Sequence, residues 1–368
     1  MGAVSIIYKE DWDSAKKRFD AFWKGEILDR CVIGVLAPRD KPFDSKNMRN
    51  EAGDFLQQWT DSEFRMEKLI CECSRTFFGG EAYPSFWNNV GPGIVAGFLG
   101  SAPVFDNTTV WYDRDPIIKE WGNKPGFKFN DNNGIWNTIK KMTEYFGKSS
   151  NSNYLTGFTD LGGVLDIAAS LRGTENLLFD LFDAPDEVKA LAGEIDILWE
   201  LYYSRLAEII SQYQEGYTTW MQLWCRERYY CLQCDFSSMI SPEQFKEFVM
   251  PSLYRHTKFL DKSIYHMDGM GEIPHIEHLL DIKELTGIQW EPGAGNPGPG
   301  NECWLPMYKR IQERGKNIVL LGVEPKQVEK LLQELSPKGI YMRVRCQSED
   351  ESKELLKNAE KWSCKQRG

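Results

Sequence analysis

Histidine is scarce in this sequence, with four in 368 residues. An imidazole that falls at the end of a strand therefore carries more weight than it would elsewhere. Basic charge is short as well: 44 Lys and Arg stand against 54 Asp and Glu, a net charge of -10. That balance argues against a nucleic-acid backbone or an anionic membrane as the main partner. Long apolar runs are missing. The charge-free stretch 82–105 is interrupted by Asn88, Asn89, Pro92, Pro103 and several glycines, so no membrane span is expected there. The opening "MGAVSIIYKEDWD" turns charged at once, against a signal peptide, and Ile6 stands where myristoylation after Gly2 needs Ser or Thr. The nine cysteines are an odd count without the spacing of a disulfide framework, which points to reduced thiols and a cytoplasmic protein. Also absent are a Gly-x-Gly-x-x-Gly after the first strand, the Lys-Ser/Thr of a phosphate loop at the end of the Gly-rich stretch "EPGAGNPGPGNE", and a Gly-x-Ser-x-Gly elbow.

What is present reads as a large globular chain. Hydrophobic residues make up 42% and charged residues 27%, enough to bury a sizeable core. The 13 tryptophans serve that core, with some free to line a pocket for a flat ligand. The second half has a clear rhythm. "SIYHM" (263–267), "GIQWE" (287–291), "NIVLL" (317–321) and "GIYMRV" (339–344) are short apolar runs rich in β-branched and aromatic residues. Helical signals fill the gaps between them. Pro325 opens a helix with Val328, Leu331, Leu332 and Leu335 on one face. Ser348 with Glu351, and Ser241 with Gln244, have capping-box spacing. A long helix is expected from about Pro185 to Tyr213, and earlier strands at 32–36, 154–158 and 218–224. Strands alternating with helices give a parallel sheet, and roughly seven or eight such units favour a (β/α)8 TIM barrel. The whole chain, 1–368, is expected to form one barrel domain. Its first 150 or so residues are less regular and add helices and loops over the barrel mouth.

In such a barrel the chemistry lies at the C-terminal ends of the strands. There the sequence offers His266 and Asp268, whose i, i+2 spacing points both to one face, then Glu291, Glu324, Arg343, Arg345 and Cys346. One imidazole, several carboxylates and a thiol form a mixed donor set that suits Zn²⁺. Hydrogen-bonded loop residues are the plain alternative at every one of these positions. "CLQC" at Cys231 and Cys234 has the spacing of a zinc or redox pair. It lacks a second pair and a thioredoxin-like context, so buried thiols are the expectation. In "EPGAGNPGPGNE", Pro297 and Pro299 remove two donors from what would otherwise look like a phosphate cradle. Arg226 and Arg228 follow the expected fourth strand, where they would either meet an anionic substrate or form surface ion pairs. His256, His275 and His278 fall in helical contexts, where a core or solvated role is the default.

Four segments carry a resemblance: "LRGTENLLFDLFDAPDEV" (171–188), "CDFSSMISPEQFKEFVMPSL" (234–253), "YHMDGMGEIPHIEHLLDI" (265–282) and "IQWEPGAG" (288–295). They are similar to the uroporphyrinogen decarboxylase superfamily, and within it to the corrinoid-dependent (cobalamin) methyltransferase branch. The resemblance covers about residues 150–365 and, more loosely, "VIGVLAPR" and "GPGIVAGFLG". It implies a (β/α)8 barrel and zinc held through a His-x-Cys-Gly motif, a later cysteine and a nearby acid. Carried over, the histidine is His266, the later cysteine is Cys346 and the acid is Glu291. Asp268 stands where the motif's first cysteine would be, which makes a harder, less thiophilic site and favours O-methyl substrates over thiols. The resemblance further implies a corrinoid protein as partner and a small-molecule methyl donor or acceptor; Asp160, Arg226, Trp290 and Arg343 are expected to contact substrate. Catalysis would fall to His266, Asp268 and Glu291. The superfamily's decarboxylases instead use an arginine-rich N-terminal loop, of which only Arg39 is present. The competing expectations are a decarboxylase of another carboxylated substrate, acting through Asp268 or Asp160, and a non-catalytic corrinoid- or tetrapyrrole-binding barrel.

Overall fold

The computed structural model describes residues 7–43 and 52–364; Gly2 and Ile6 lie outside them. The strands that position the site are β1 (Val32–Pro38), β2 (Thr76–Gly80), β3 (Ser85–Trp87), β4 (Leu155–Gly157), β5 (Tyr229–Gln233), β6 (Lys262–Asp268), β7 (Gly287–Glu291), β8 (Asn317–Val323) and β9 (Ile340–Arg345). Seven of them form one sheet in the order β2-β1-β9-β8-β7-β6-β5. All its pairings are parallel except β1 with β2. The strands β3 and β4 form a separate parallel pair. Main-chain hydrogen bonds extend each group: Glu81 N–H to Ile33 O beside β1 and β2, Leu155 N–H to Pro84 O beside β3 and β4, and Phe158 N–H to Thr218 O beyond β4, each 3.0 Å. The result is a mixed α/β fold around a mostly parallel sheet, an arrangement compatible with a TIM barrel.

Parallel strands covered on both faces read as unbroken apolar runs, and β5, β7 and β8 are buried nearly throughout. The covering helices include α1 (Trp12–Trp23), α2 (Ser62–Arg75), α3 (Gly134–Ser149), α4 (Val164–Arg172), α5 (Pro185–Ser211), α6 (Met250–Phe259), α7 (Leu305–Glu313), α8 (Pro325–Glu334) and α9 (Glu349–Cys364). The expected caps form. Ser241 and Gln244 make a reciprocal capping box, and Ser348 Oγ accepts from Glu351 N–H at 3.1 Å. Among the described residues, no helix is long and apolar enough to cross a membrane.

Two expectations need correction. Residues 218–224 are not a strand. An antiparallel bridge joins Tyr217 to Cys225, and between them Gln222 N–H bonds Thr219 O in a tight turn, with Gln222 at φ +53°. Met221, Leu223 and Trp224 are fully buried, so the apolar pattern there reports burial and not extension. The strand actually present, β5, lies just beyond, in the "YYCLQ" that had been read as part of a cysteine motif. The N-terminal region also does more than cover the mouth. Helix α1 packs at the opposite end of the sheet, where Asn317, the first residue of β8, donates to Phe22 O at 2.9 Å and Trp23 Nε1–H to Trp224 O at 2.8 Å. Phe19 meets the Tyr341 ring at 6.1 Å from inside. The short ribbon Val104–Phe105/Val110–Trp111, by contrast, borders the same cleft as Asp166 and Asp235.

Candidate metal centre at the strand ends

Register places the site. Across three neighbouring strands Gln233, His266 and Gln289 lie side by side, and one pleat further on Asp268 lies beside Glu291. Because side chains alternate along a strand, His266 and Asp268 share a face. His266 Nδ1–H donates to Gln289 Oε1 in a short hydrogen bond, and His266 Nε2 lies 3.9 Å from Asp268 Oδ2. The Trp220 ring stands edge-on to the imidazole at 4.9 Å.

A third donor comes from the next strand over. Asp235 opens the 3-10 turn that follows β5, and its own N–H and that of Phe236 are held by the Asp166 carboxylate at 3.1 and 2.8 Å. Asp235, His266 and Asp268 each bring one ligand atom within 4.8 Å of the other two. Around them gather further acids. Burial, and then the charge of Asp235, push Asp160 up to about 6 and Asp166 up to about 7. Glu272 is 1% exposed, both its oxygens lack a hydrogen-bond partner, and burial with the charges of Asp235 and Asp166 pushes it up to about 9. Asp235 itself is raised by the desolvation of its position. Among the described residues no Lys or Arg forms an ion pair with any of these carboxylates; the N–H groups of Gly162 and Gly93 and the nearby His266 moderate Asp160, and His266 moderates Asp235.

The expected ligands are therefore only partly brought together. His266 and Asp268 are in the group; Glu291 and Cys346 are outside it. Cys346 follows β9, three strand positions from β6, or about 14 Å measured along a sheet. Its N–H bonds Leu36 O at 2.8 Å, and its buried thiol, raised by desolvation, faces Ser352. Glu291 is half-buried at the end of β7. Of the expected substrate contacts, Asp160 joins the acidic group and Arg343 is half-buried with Nη1 3.4 Å from Gln222 Oε1. Arg226 is a correction. It precedes β5, at the end of the sheet away from His266, and pairs there with Glu215 and Asp20. Trp290 is another: it is fully buried, alternates with Gln289 and Glu291, and packs on Trp304 at 5.2 Å. The cysteines Cys231 and Cys234 are buried free thiols pushed up by desolvation.

Asp235, Asp166, Gln289 and Glu272 were missed from sequence. Asp235 becomes visible once "YYCLQ" is read as a strand, since it then falls at a strand end. Gln289 is two residues before Glu291 and so shares its face. Nothing local marks Glu272 or Asp166.

No protein-family model matches the chain, and no curated protein matches it in sequence. In structure it is similar to a methyltransferase from Methanosarcina mazei, with a TM-score of 0.59 over 94% of this chain and 98% of that one, at 12% identity. The two chains share a fold.

Proposed function

We propose that this chain is a metal-dependent methyltransferase of the uroporphyrinogen decarboxylase type. In this reading a (β/α)8 barrel works with a corrinoid protein to move a methyl group between cobalamin and an O-methyl or thiol compound. The observation that carries it is the convergence of His266, Asp235 and Asp268, each bringing one ligand atom within 4.8 Å of the other two, with no Lys or Arg ion pair to these groups among the described residues. A nitrogen and two oxygens suit Zn²⁺ with an open coordination position. Bound, the ion supplies Lewis acidity there, and the corrinoid supplies the cobalt that carries the methyl group. The fold shared with a methyltransferase is consistent with this reading.

The chain's own residues have separable tasks. Gln289 fixes the His266 tautomer, the orienting contact that ligating histidines ordinarily have. Asp166 holds the turn that presents Asp235. Trp220 walls one side of the imidazole against water. Asp160, raised to about 6, is poised to exchange a proton with the substrate heteroatom as it loses or gains the methyl group. Arg343 and Gln222 would hold an anionic substituent.

Purified protein should contain about one zinc per chain. Asp235→Ala, His266→Ala and Asp268→Ala should each lose it, while Cys231→Ser, Cys234→Ser and Cys346→Ser keep it. Metal loss in Cys346→Ser with retention in Asp235→Ala would instead support the ligand set of the corrinoid branch. Zinc-loaded protein should demethylate methylcobalamin slowly, followed by its visible spectrum, and His266→Ala should not. A second reading has its own support in the raised, buried Asp160, a suitable proton donor for a decarboxylase. Release of CO2 from a carboxylated substrate without added metal, together with no methyl exchange, would sink the methyltransferase and establish that alternative.

A further inference from the structure

Beside the metal group, and sharing Asp235 with it, a cleft of about 240 Å³ opens between Trp111 and the turn that follows β5. Asp166 and Asp235 supply its acidic side, and Trp111, Phe236 and Met239 its apolar side. Gln233 also lines it, 8% exposed and with no side-chain hydrogen bond among the described residues. The Trp111 indole N–H is buried without an acceptor. None of the described lining residues is a Lys or Arg.

The charges can be matched one by one. Asp113 at the cleft's edge has Arg114 beside it at 3.9 Å, and Arg114 also lies over the Trp111 ring at 4.6 Å. A divalent ion would neutralise Asp235 and Asp268. Asp166 then remains as one carboxylate without a counterion, its two oxygens already anchored by the N–H groups of Asp235 and Phe236. A small inorganic cation is the wrong complement for the rest of the wall, because aromatic faces and a thioether cannot replace its hydration shell. A bulky, weakly hydrated cation suits all of it: ring faces attract positive charge, and aromatic cages are a recurrent receptor for methylated ammonium groups.

The geometry points to this cleft as the binding site of a small organic ammonium compound, a quaternary or tertiary methylammonium, held against Trp111 and Phe236 with Asp166 as its counterion. Gln233 would orient the polar end of the ligand. The inference deepens the methyl-transfer reading by naming a substrate class. It rests on the proposed metal for leaving Asp166 as the unmatched carboxylate, and on methyl transfer only for the fate of the ligand.

The test is isothermal titration of the full chain, both zinc-loaded and after chelation, with choline and tetramethylammonium. The control is 3,3-dimethyl-1-butanol, choline's uncharged isostere. Choline should bind at least about tenfold tighter than the isostere, and Trp111→Ala should cut that affinity by about tenfold. Trp111→Phe, which keeps a ring face, should retain most of it and shows whether the alanine variant merely unfolds. Asp166→Asn should abolish the preference for charge. Equal affinity for choline and its isostere, unchanged binding in Trp111→Ala, or no binding to either form of the protein would overturn the proposal. Choline binding without methyl exchange from any donor would leave this site standing and remove the methyltransferase reading. Exchange from neutral methyl ethers without ammonium binding would do the reverse.

Discussion

Glu272 is the residue on which the electrostatics of the site turn. It lies almost wholly out of solvent, near Asp166, Asp235 and Asp268, with neither oxygen hydrogen-bonded. Its folded-state value, about 9, stands far above the 4.5 of a free glutamate, and those of Asp160 and Asp166 are also raised, from 3.8. The folded protein thus holds more protons than the unfolded chain over this interval. These groups contribute stability that is complete below their unfolded values, near pH 4, and is lost as pH rises through about 6 to 9. The metal-free protein should accordingly melt at lower temperature as pH rises from 5 to 9. Glu272→Gln mimics the protonated acid. It should match wild type within about 0.5 kcal/mol at pH 5 and exceed its stability at pH 9, as urea unfolding at the two pH values would show. A variant weaker than wild type at both would mean that Glu272 is ionised in the fold.

At the scale of elements, one carboxylate ties the irregular N-terminal strands to the sheet. Glu81 leaves the antiparallel β2 and is fully buried. It accepts from both terminal nitrogens of Arg30 at 2.5 and 2.8 Å, from Arg18 at 3.2 Å and from Ile33 N–H at 3.0 Å. Removing it strands a buried guanidinium, so Glu81→Ala should cost about 3–5 kcal/mol in denaturant unfolding. Breaking the exposed Lys189–Glu247 pair by Glu247→Ala should cost less than about 1 kcal/mol. Elements of this kind were the hardest to read in advance. Strands β6 to β9 were legible as short apolar runs covered on both faces, and helices α5 and α8 by one repeating apolar face. The segment 218–224 was not, since a buried turn and a buried strand show the same apolar run. The site followed suit. His266 and Asp268 were visible as strand-end residues, whereas Asp235 depended on the strand that had been misplaced, and Glu272 and Asp166 converge on it only through tertiary folding.

At the scale of the molecule, the proposed metal binding would be linked to folding. A ligand present at about 100 times its dissociation constant adds about 2.7 kcal/mol to stability. Chelation of zinc-loaded protein should therefore lower Tm. The drop should be larger at pH 8 than at pH 5.5, because protons compete with the ion for the same lone pairs and the unprotonated acids repel one another without it. A chelator effect that is equal at the two pH values would place the ion away from this acidic group.

Helix α1 has a consequence of its own. With Trp12 and Phe19 packed into the far end of the sheet, against Tyr83, Trp224 and Tyr341, that end is filled by buried rings. Under the methyl-transfer reading proposed above, reactants would then have to approach from the strand-end side, and two bulky ones sharing that approach would have to take turns.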